Sequence, residues 1–269
     1  MASNVETLQE KLNACYAKFR VNTDFKDDVF ANMLSAPLLL KVPEKWTCSH
    51  NKILVVGQET LGWSFFKGDD YGYDWRFSNI KGWCDFKIAP DAVPALVEGY
   101  GIFNFATNGH PINHRAPFFA AYRKIRAAVG DDAEGFDTSV LWTNIIRMAV
   151  DEGSIFKVSD GSVVDDLIDI SGQLILCELG VLRPDAIIFF TGPVYDYALQ
   201  RIFEGVKFGE MPSYKVREFS NIQSAALPEK SWRTYHPAYL QRSKRGSIIN
   251  YLCGAVESIK LDSNRKANG

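Results

Sequence analysis

Apolar and polar positions divide the chain into alternating helical and extended stretches. Near the amino terminus the apolar residues recur at spacings of three and four, the period of one face of an α-helix. These residues are Val5, Leu8, Leu12, Cys15 and Phe19. A second helical stretch is predicted over 27–40, before Pro43. We therefore expect residues 1–44 to form a helical extension that packs on the main domain.

Short, continuous apolar runs predict buried strands further along the chain. The runs are 52–56, 139–143, 186–190 and 232–235. Helical spacing returns between and after these runs, over 115–129, 163–182, 194–203 and 243–261. Strands that alternate with helices are typical of a parallel sheet covered on both faces. The pattern predicts an α/β fold, a three-layer α/β/α sandwich whose mostly parallel central sheet has about four strands.

The predicted domain organisation is simple. The sequence contains no linker rich in Pro, Gly or Ser and no internal repeat, so residues 1–269 are interpreted as a single domain. Residues 262–269 form a polar tail in this interpretation. The stretch from Trp63 to Tyr100 is irregular and rich in Gly, Asp and aromatic residues, which predicts long ordered loops with room for a short helix.

Polar or flexible groups follow each predicted strand. Gln58 and Glu59 follow the first strand, Asn144 the second, Gly192 the third and His236 the last. In open α/β sheets, ligands bind outside the carboxyl ends of the strands. These groups are therefore expected to converge on one crevice.

The overall charge does not indicate a nucleic-acid partner. The chain has 30 Lys and Arg against 32 Asp and Glu, a formal net charge of −2, so any phosphate contact must come from a local patch. Basic residues do cluster late in the chain, beside the dipeptide His236-Pro237. They are Arg233, Arg242, Lys244 and Arg245. This cluster could contact DNA phosphates, and the alternative is a solvated helix start.

Cysteine and histidine usage predicts no metal site. The 5 cysteines are scattered without a C-x-x-C pair, which predicts neither a disulfide framework nor a zinc or iron–sulfur centre. His110 and His114 are four residues apart, but Pro111 between them argues against a continuous helical face for a metal. The amino terminus lacks an apolar signal core, and no run of about 18 apolar residues could span a bilayer. We expect a cytoplasmic protein with no membrane partner.

Three residues at the strand ends have side chains suited to chemistry, and each has a structural alternative. Glu59 could accept a proton from water or stabilise a developing cation, or it could cap or pin a loop. The amide of Asn144 could match the Watson–Crick edge of a pyrimidine, or it could tie neighbouring loops together. His236 could donate to an anionic leaving group, or it could be a structural histidine.

The order and spacing of these residues resemble the uracil-DNA glycosylase superfamily over residues 50 to 255. The family's first motif, a strand followed by G-Q-D-P-Y-H, is answered by Gly57-Gln58-Glu59-Thr60-Leu61-Gly62. Its central strand that ends in Asn is answered by Val140-Leu141-Trp142-Thr143-Asn144. Its final H-P-S-P-L motif is answered by His236-Pro237-Ala238-Tyr239-Leu240.

The resemblance implies a role for each matched position. Glu59 would hold the attacking water and balance the charge on the sugar, and His236 would stabilise the departing base through its O2. Gln58 and Asn144 would bind the base, and Phe105 would stack on it, with Phe103 nearly as good a candidate for the stacking ring. Leu240 would be the apolar wedge that fills the vacated stack. From the basic cluster, we expect Arg242, Lys244 and Arg245 to contact DNA as well; no cofactor and a monomer are expected.

Departures from the family pattern change the expected substrate. Glu59 stands where the family has Asp, one methylene shorter, so the position of the water must differ or the role is altered. Thr60-Leu61-Gly62 replaces Pro-Tyr-His, and that Tyr is the barrier to substituents at pyrimidine C5. The resemblance therefore implies excision of uracil or of a C5-modified base, such as a modified cytosine of phage DNA, with a role in antiviral defence. The alternatives are a non-catalytic nucleic-acid-binding module of the same fold and a nucleoside hydrolase.

Overall fold

The computed structural model describes residues 3–60, 80–105, 116–132, 135, 137–150 and 153–267. Six strands form one sheet in the order β2-β1-β3-β6-β5-β4. The strands are β1 Ile53–Glu59, β2 Val140–Ile146, β3 Ala186–Phe189, β4 Lys207–Gly209, β5 Phe219–Gln223 and β6 Lys230–Thr234.

Helices precede, connect and follow these strands. They are α1 Ser3–Asn22, α2 Asp28–Ala31, α3 Glu44–Cys48, α4 Trp83–Ile88, α5 Ala92–Phe105, α6 Pro117–Ala128, α7 Gly161–Leu182, α8 Asp196–Ile202, α9 Pro237–Arg242 and α10 Ser247–Ala267. Short 3₁₀ turns lie at Ile155–Lys157 and Pro193–Tyr195. The mixed α/β class predicted from the sequence is confirmed.

Parallel pairing dominates the sheet. Strand β3 pairs in parallel with β1 on one side, where Phe189 is opposite Val56, and with β6 on the other, where Phe189 is opposite Arg233. The backbone N–H of Ile53 donates to Ser139 O at 3.0 Å, so β1 and its neighbour β2 also begin side by side. The predicted mostly parallel sheet is confirmed.

The sheet has six strands rather than about four because β4 and β5 add an antiparallel edge. β4 spans only three residues and none of them is fully buried. β5 mixes polar and apolar residues in the sequence Phe-Ser-Asn-Ile-Gln. Such short, half-polar segments lack the apolar run that predicts a buried strand.

The predicted amino-terminal helix is present as α1, but most of the predicted second helix, 27–40, is extended. Only Asp28–Ala31 is helical there. Pro37 explains the difference, since a proline lacks the N–H of a helical bond and forces the preceding residue toward extended conformations. The segment after α2 is buried and bonds to another stretch of backbone, with Ser35 N–H donating to Ala149 O and Leu38 N–H to Arg147 O.

The chain divides into two compact units, each assembled from three stretches of sequence. Unit 1 comprises Met1–Lys41, Glu59–Asn104 and Asn144–Val181. Unit 2 comprises Val42–Gln58, Phe105–Thr143 and Leu182–Gly269. The interpretation of residues 1–269 as a single domain stays a prediction.

Aromatic rings fill part of the core of unit 1. Phe19 of α1 and Phe25 both meet the ring of Trp83 edge-on, with centroids 5.8 and 5.0 Å apart. Phe86 of α4 lies against the same group, 5.5 Å from Trp83. Edge-to-face pairs of this kind add to the burial of their large apolar area. They fix α1 against α4.

A buried ion pair with a tyrosine connects α1, α7 and the extended segment of unit 1. Arg147 donates from Nε and Nη2 to Leu38 O at 3.1 and 2.6 Å, and from Nη2 to Glu178 Oε1 at 2.5 Å. The hydroxyl of Tyr16 donates to the same carboxylate oxygen at 2.8 Å and accepts from Leu40 N–H at 3.0 Å. Burial raises the pKa of Glu178, and the positive charge of Arg147 opposes that rise. The pair therefore depends on both charges being present.

Cys15 of α1 and Cys177 of α7 form a disulfide beside this network, with their Cα atoms 6.6 Å apart. The scattered cysteines had predicted no disulfide framework. The sequence separation of 162 positions between the two cysteines explains why their spacing gave no signal. Cys48, Cys84 and Cys253 are free thiols.

Glu178→Ala is expected to lower the free energy of unfolding by about 3–5 kcal/mol, because it removes the carboxylate that balances the buried charge of Arg147. Urea unfolding followed by circular dichroism measures the change. Asp166→Ala is the control, since it removes the partner of Lys26, whose side chain is 85% exposed. That variant should lose less than about 1 kcal/mol. Equal losses in the two variants would contradict a stabilising role for the buried pair.

Candidate functional site

In unit 2, the carboxyl ends of β1 and β3 are held together by a side chain. Gln58, the next-to-last residue of β1, donates from Nε2 to Thr191 O at 2.8 Å. Thr191 follows the last residue of β3 by two positions, and its buried hydroxyl makes no hydrogen bond with a described group. The side-chain NH₂ of Gln58, a residue predicted to bind a base, therefore already donates a hydrogen bond to the chain after β3.

His236 leaves the sheet two residues after β6 and caps the amino end of α9. Its Nδ1 accepts from Ala238 N–H at 3.2 Å. The ring stacks on Phe118 of α6 with centroids 6.0 Å apart and planes inclined by 14°. Phe118 in turn meets Trp142 and Phe190 edge-on. The imidazole therefore rests on an aromatic cluster.

This environment determines the protonation of His236. Burial and, to a smaller extent, the positive charge of Arg242 lower the pKa of His236 to about 4. Because Nδ1 already accepts a hydrogen bond, the single proton of the neutral ring lies on Nε2. At neutral pH the side chain is an uncharged N–H donor that can stabilise a developing anion.

Helix α9 presents a different residue from the one predicted to insert into DNA. Leu240, the predicted apolar wedge, is fully buried in the core of unit 2, which differs from the exposed position that insertion requires. Its neighbour Tyr239 is 41% exposed. On a short helix that packs one face inward, successive side chains point in different directions, so only one of the two can face the core.

The predicted cationic residues occupy unlike environments. Arg242 and Lys244 are exposed, and Arg245 forms an ion pair with Glu218 at 2.6 Å. Lys244 has a φ of 56°, and the N–H of Arg245 after it donates back to Leu240 O at 2.8 Å, a pattern that ends α9. Arg233 is buried on β6 and is structural.

The contacts of Arg233 show this. Its guanidinium donates to Asp196 Oδ2 at 2.9 Å and to Arg217 O at 2.8 Å. The same group lies over the ring of Phe208, 5.1 Å from its centroid. Arg233 therefore joins β6 to the antiparallel edge and to α8.

In unit 1, Glu59 holds a turn. Its Oε1 accepts from the Ser154 hydroxyl at 2.8 Å and its Oε2 from Ile155 N–H at 3.2 Å. These bonds are those of the loop-pinning alternative raised by the sequence. The two bonds hold the carboxylate in one orientation against the turn.

Asn144 is the other predicted site residue in unit 1. It lies within β2 and is 8% exposed. Its side-chain amide makes no hydrogen bond to another described residue, so the described residues do not show it tying loops together. A nearly buried amide that bonds to none of the described residues is suited to bind a polar ligand.

Several predicted positions lie outside the described residues or side chains. Leu61, Gly62, His110 and His114 are among the residues not described. Phe105 is the last residue of α5, and its side chain, like that of Phe103, lies outside the described ones. Over the described residues, no group of three or more His, Cys, Asp or Glu side chains could hold a metal ion. No described helix is long and apolar enough to cross a membrane.

No family model matches this chain, and no curated protein matches it.

Sequence reasoning missed two groups beside the predicted residues. Tyr235 and Tyr239 stack on each other with centroids 4.2 Å apart, and Ser154 holds the carboxylate of Glu59. The spacing of His236 and Tyr239, three residues apart at a helix start, could have indicated that they share a face. Nothing in the sequence near Glu59 indicates Ser154, which is 95 residues away.

An NMR pH titration should give His236 a midpoint near pH 4, because burial disfavours the charged ring. His236→Gln assigns the signal by removing it. In urea-unfolded protein all histidine signals should titrate near pH 6.5. A midpoint near 6.5 in the folded protein would contradict the neutral buried imidazole.

Proposed function

We propose that the protein is a DNA glycosylase that hydrolyses the N-glycosidic bond of a flipped-out pyrimidine and leaves an abasic site. Its fold is then the three-layer sandwich of the uracil-DNA glycosylase superfamily. The observation that carries the proposal is the buried, uncharged imidazole of His236, with its proton on Nε2 and its Nδ1 bonded to Ala238 N–H.

The reaction explains why an uncharged donor is useful. When the bond between C1′ of the sugar and the base nitrogen breaks, its electron pair stays on the base and negative charge gathers on O2. A hydrogen bond from Nε2 of His236 strengthens as that charge develops, so it stabilises the transition state more than the bound substrate. The base leaves as an anion and takes its proton later from solvent.

Glu59 has the chemistry required for the other half of the reaction. Its carboxylate offsets the positive charge that develops on the sugar and accepts a proton as water bonds to C1′. The bonds from Ser154 and Ile155 hold this carboxylate in one orientation, which a general base needs.

Asn144 and the residues after Glu59 support a pyrimidine substrate. The Asn144 amide offers a donor and an acceptor to the Watson–Crick edge of the base. In the sequence, Leu61 stands where the family has its tyrosine barrier, and its side chain is smaller than that ring, which favours a substrate with a substituent at C5. We propose uracil or a C5-modified base, such as a modified cytosine of phage DNA, as the substrate, and antiviral defence as the role.

One observation favours a second candidate, a non-catalytic nucleic-acid-binding module. Both carboxylate oxygens of Glu59 are bonded to the turn at Ser154 and Ile155, as expected for a purely structural glutamate. The two candidates differ in a measurable property, which is the release of a base.

The first test offers the full chain a set of duplexes, each with one uracil or C5-substituted pyrimidine, and detects abasic sites by alkaline cleavage. Release is expected from at least one of them. Glu59→Gln should lower the single-turnover rate about 10²- to 10⁴-fold, because the amide cannot accept the proton. Ser154→Ala is the matched control: it removes one of the two bonds to the carboxylate but keeps the carboxylate and its bond from Ile155 N–H, so most of the rate should remain.

The outcomes separate the candidates. Equal losses in Glu59→Gln and Ser154→Ala would assign Glu59 a structural role. Binding of DNA with no release from any duplex would select the non-catalytic module. Activity on free nucleosides but not on DNA would select a nucleoside hydrolase.

Lys244→Gly should change stability and DNA binding in opposite directions. Glycine adopts a positive φ without strain, so the free energy of unfolding should rise by about 1 kcal/mol. Loss of the cation should weaken binding to DNA and reduce its salt dependence. Lys244→Ala is the control, because it loses the charge but keeps the strained backbone. Unchanged DNA affinity in both variants would exclude Lys244 from the DNA contact.

A further inference from the structure

The outward face of α9 combines an aromatic ring with a positive charge. His236, Tyr239 and Arg242 follow one another at intervals of three residues, which places them along one side of a helical turn. Leu240, on the other side, is fully buried. Tyr239 and Arg242 are exposed.

A second ring supports the exposed one. Tyr235 stacks against Tyr239 with centroids 4.2 Å apart and planes inclined by 31°. Gly192 leaves room for Tyr235, since a Cβ at that position would lie 3.3 Å from Tyr235 Cδ1. Tyr239 is therefore an exposed ring that is held from behind, and ordering it on a ligand costs little side-chain entropy.

The neighbouring charge indicates what the ring can bind. Arg242 lies close enough to His236 for its charge to influence the imidazole. Neither Arg242 nor the exposed Lys244 forms an ion pair with a described carboxylate. Gln241 and Ser243, on either side of Arg242 in the chain, are also polar, so this face lacks the broad apolar area of a protein interface.

We propose that this face binds a nucleotide of the DNA strand, with its base stacked on Tyr239 and its phosphate bonded to Arg242. A flat ring and a guanidinium three residues apart on one helical turn are the two groups that single-stranded DNA requires, because every base has a π-face and every nucleotide a phosphate. The proposal rests on the proposed function for its choice of DNA as partner. It assigns DNA contact to Tyr239 instead of the buried Leu240.

Equilibrium binding tests the two contacts separately. The full chain is titrated into two fluorescein-labelled strands of about 12 nucleotides, a length typical of such sites. One strand is oligo-dA, and the other carries the same phosphates on tetrahydrofuran residues without bases. Neither strand holds a pyrimidine, so binding is measured without base release.

The wild-type protein should bind oligo-dA about tenfold more tightly than the strand without bases. Tyr239→Ala should remove most of this preference, and Tyr239→Phe should keep it. Arg242→Ala should weaken binding to both strands alike and reduce the slope of log affinity against log salt by about 0.7. Tyr251→Ala is the control, since Tyr251 is 44% exposed on α10 and should not affect the preference.

Two results would overturn the proposal. One is equal binding of the wild-type protein to both strands. The other is a Tyr239→Ala variant that keeps the wild-type preference and whose thermal unfolding transition shows that it is folded. Base release is a separate readout. If no duplex loses a base but Tyr239→Ala abolishes the preference, the glycosylase proposal fails and the proposed nucleotide surface stands. If a base is released but Tyr239→Ala keeps the preference, the glycosylase proposal stands and the nucleotide surface fails.

Discussion

The parallel pairing of β3 with β1 and β6 is the constraint on which the candidate site of unit 2 depends. Phe189 lies opposite Val56 on one strand and Arg233 on the other, so the three strands end at one edge of the sheet. Gln58, Thr191 and His236 follow these paired residues within a few positions. A slip of one residue in either pairing would turn the side chains of that strand to the opposite face.

Burial has opposite consequences for the two kinds of charged group in the protein. In the core of unit 1, the guanidinium of Arg147 is compensated by Glu178 and a backbone carbonyl. His236 rests on Phe118, and the charge that acts on it is the like charge of Arg242, so it loses its proton instead. The first arrangement stabilises a fold, whereas the second prepares a neutral hydrogen-bond donor.

Apolar runs in the sequence were sufficient to predict β1 and β3, whose side chains are buried on both faces of the sheet. They were not sufficient to predict β4, whose three residues form a strand by pairing with β5. Helical spacing over 27–40 gave a wrong second helix because Pro37 outweighs periodicity. Pattern likewise cannot determine which residue of the Tyr239-Leu240 pair faces the core, since both are large and apolar. That choice depends on tertiary packing.

The candidate chemistry was partly accessible from sequence for a related reason. Polar residues after buried strands, such as Asn144 and His236, stand out against apolar neighbours. The partners that define their state lie far along the chain, as Phe118 does for His236, and no local pattern indicates them. The acceptor role of Nδ1 and the low pKa follow only from the folded structure.

Gly192, just after β3, restricts which residues the chain can accept at the edge of the sheet. Its φ of 72° disfavours any residue with a side chain, and a Cβ there would lie only 3.3 Å from the ring of Tyr235, which follows β6 directly. Loss of the ring at 235 would not by itself admit a side chain at 192, because the positive φ disfavours a Cβ whatever the space around it. Glycine is therefore required at 192 by its own backbone, and the tyrosine ring adds a second, weaker restriction.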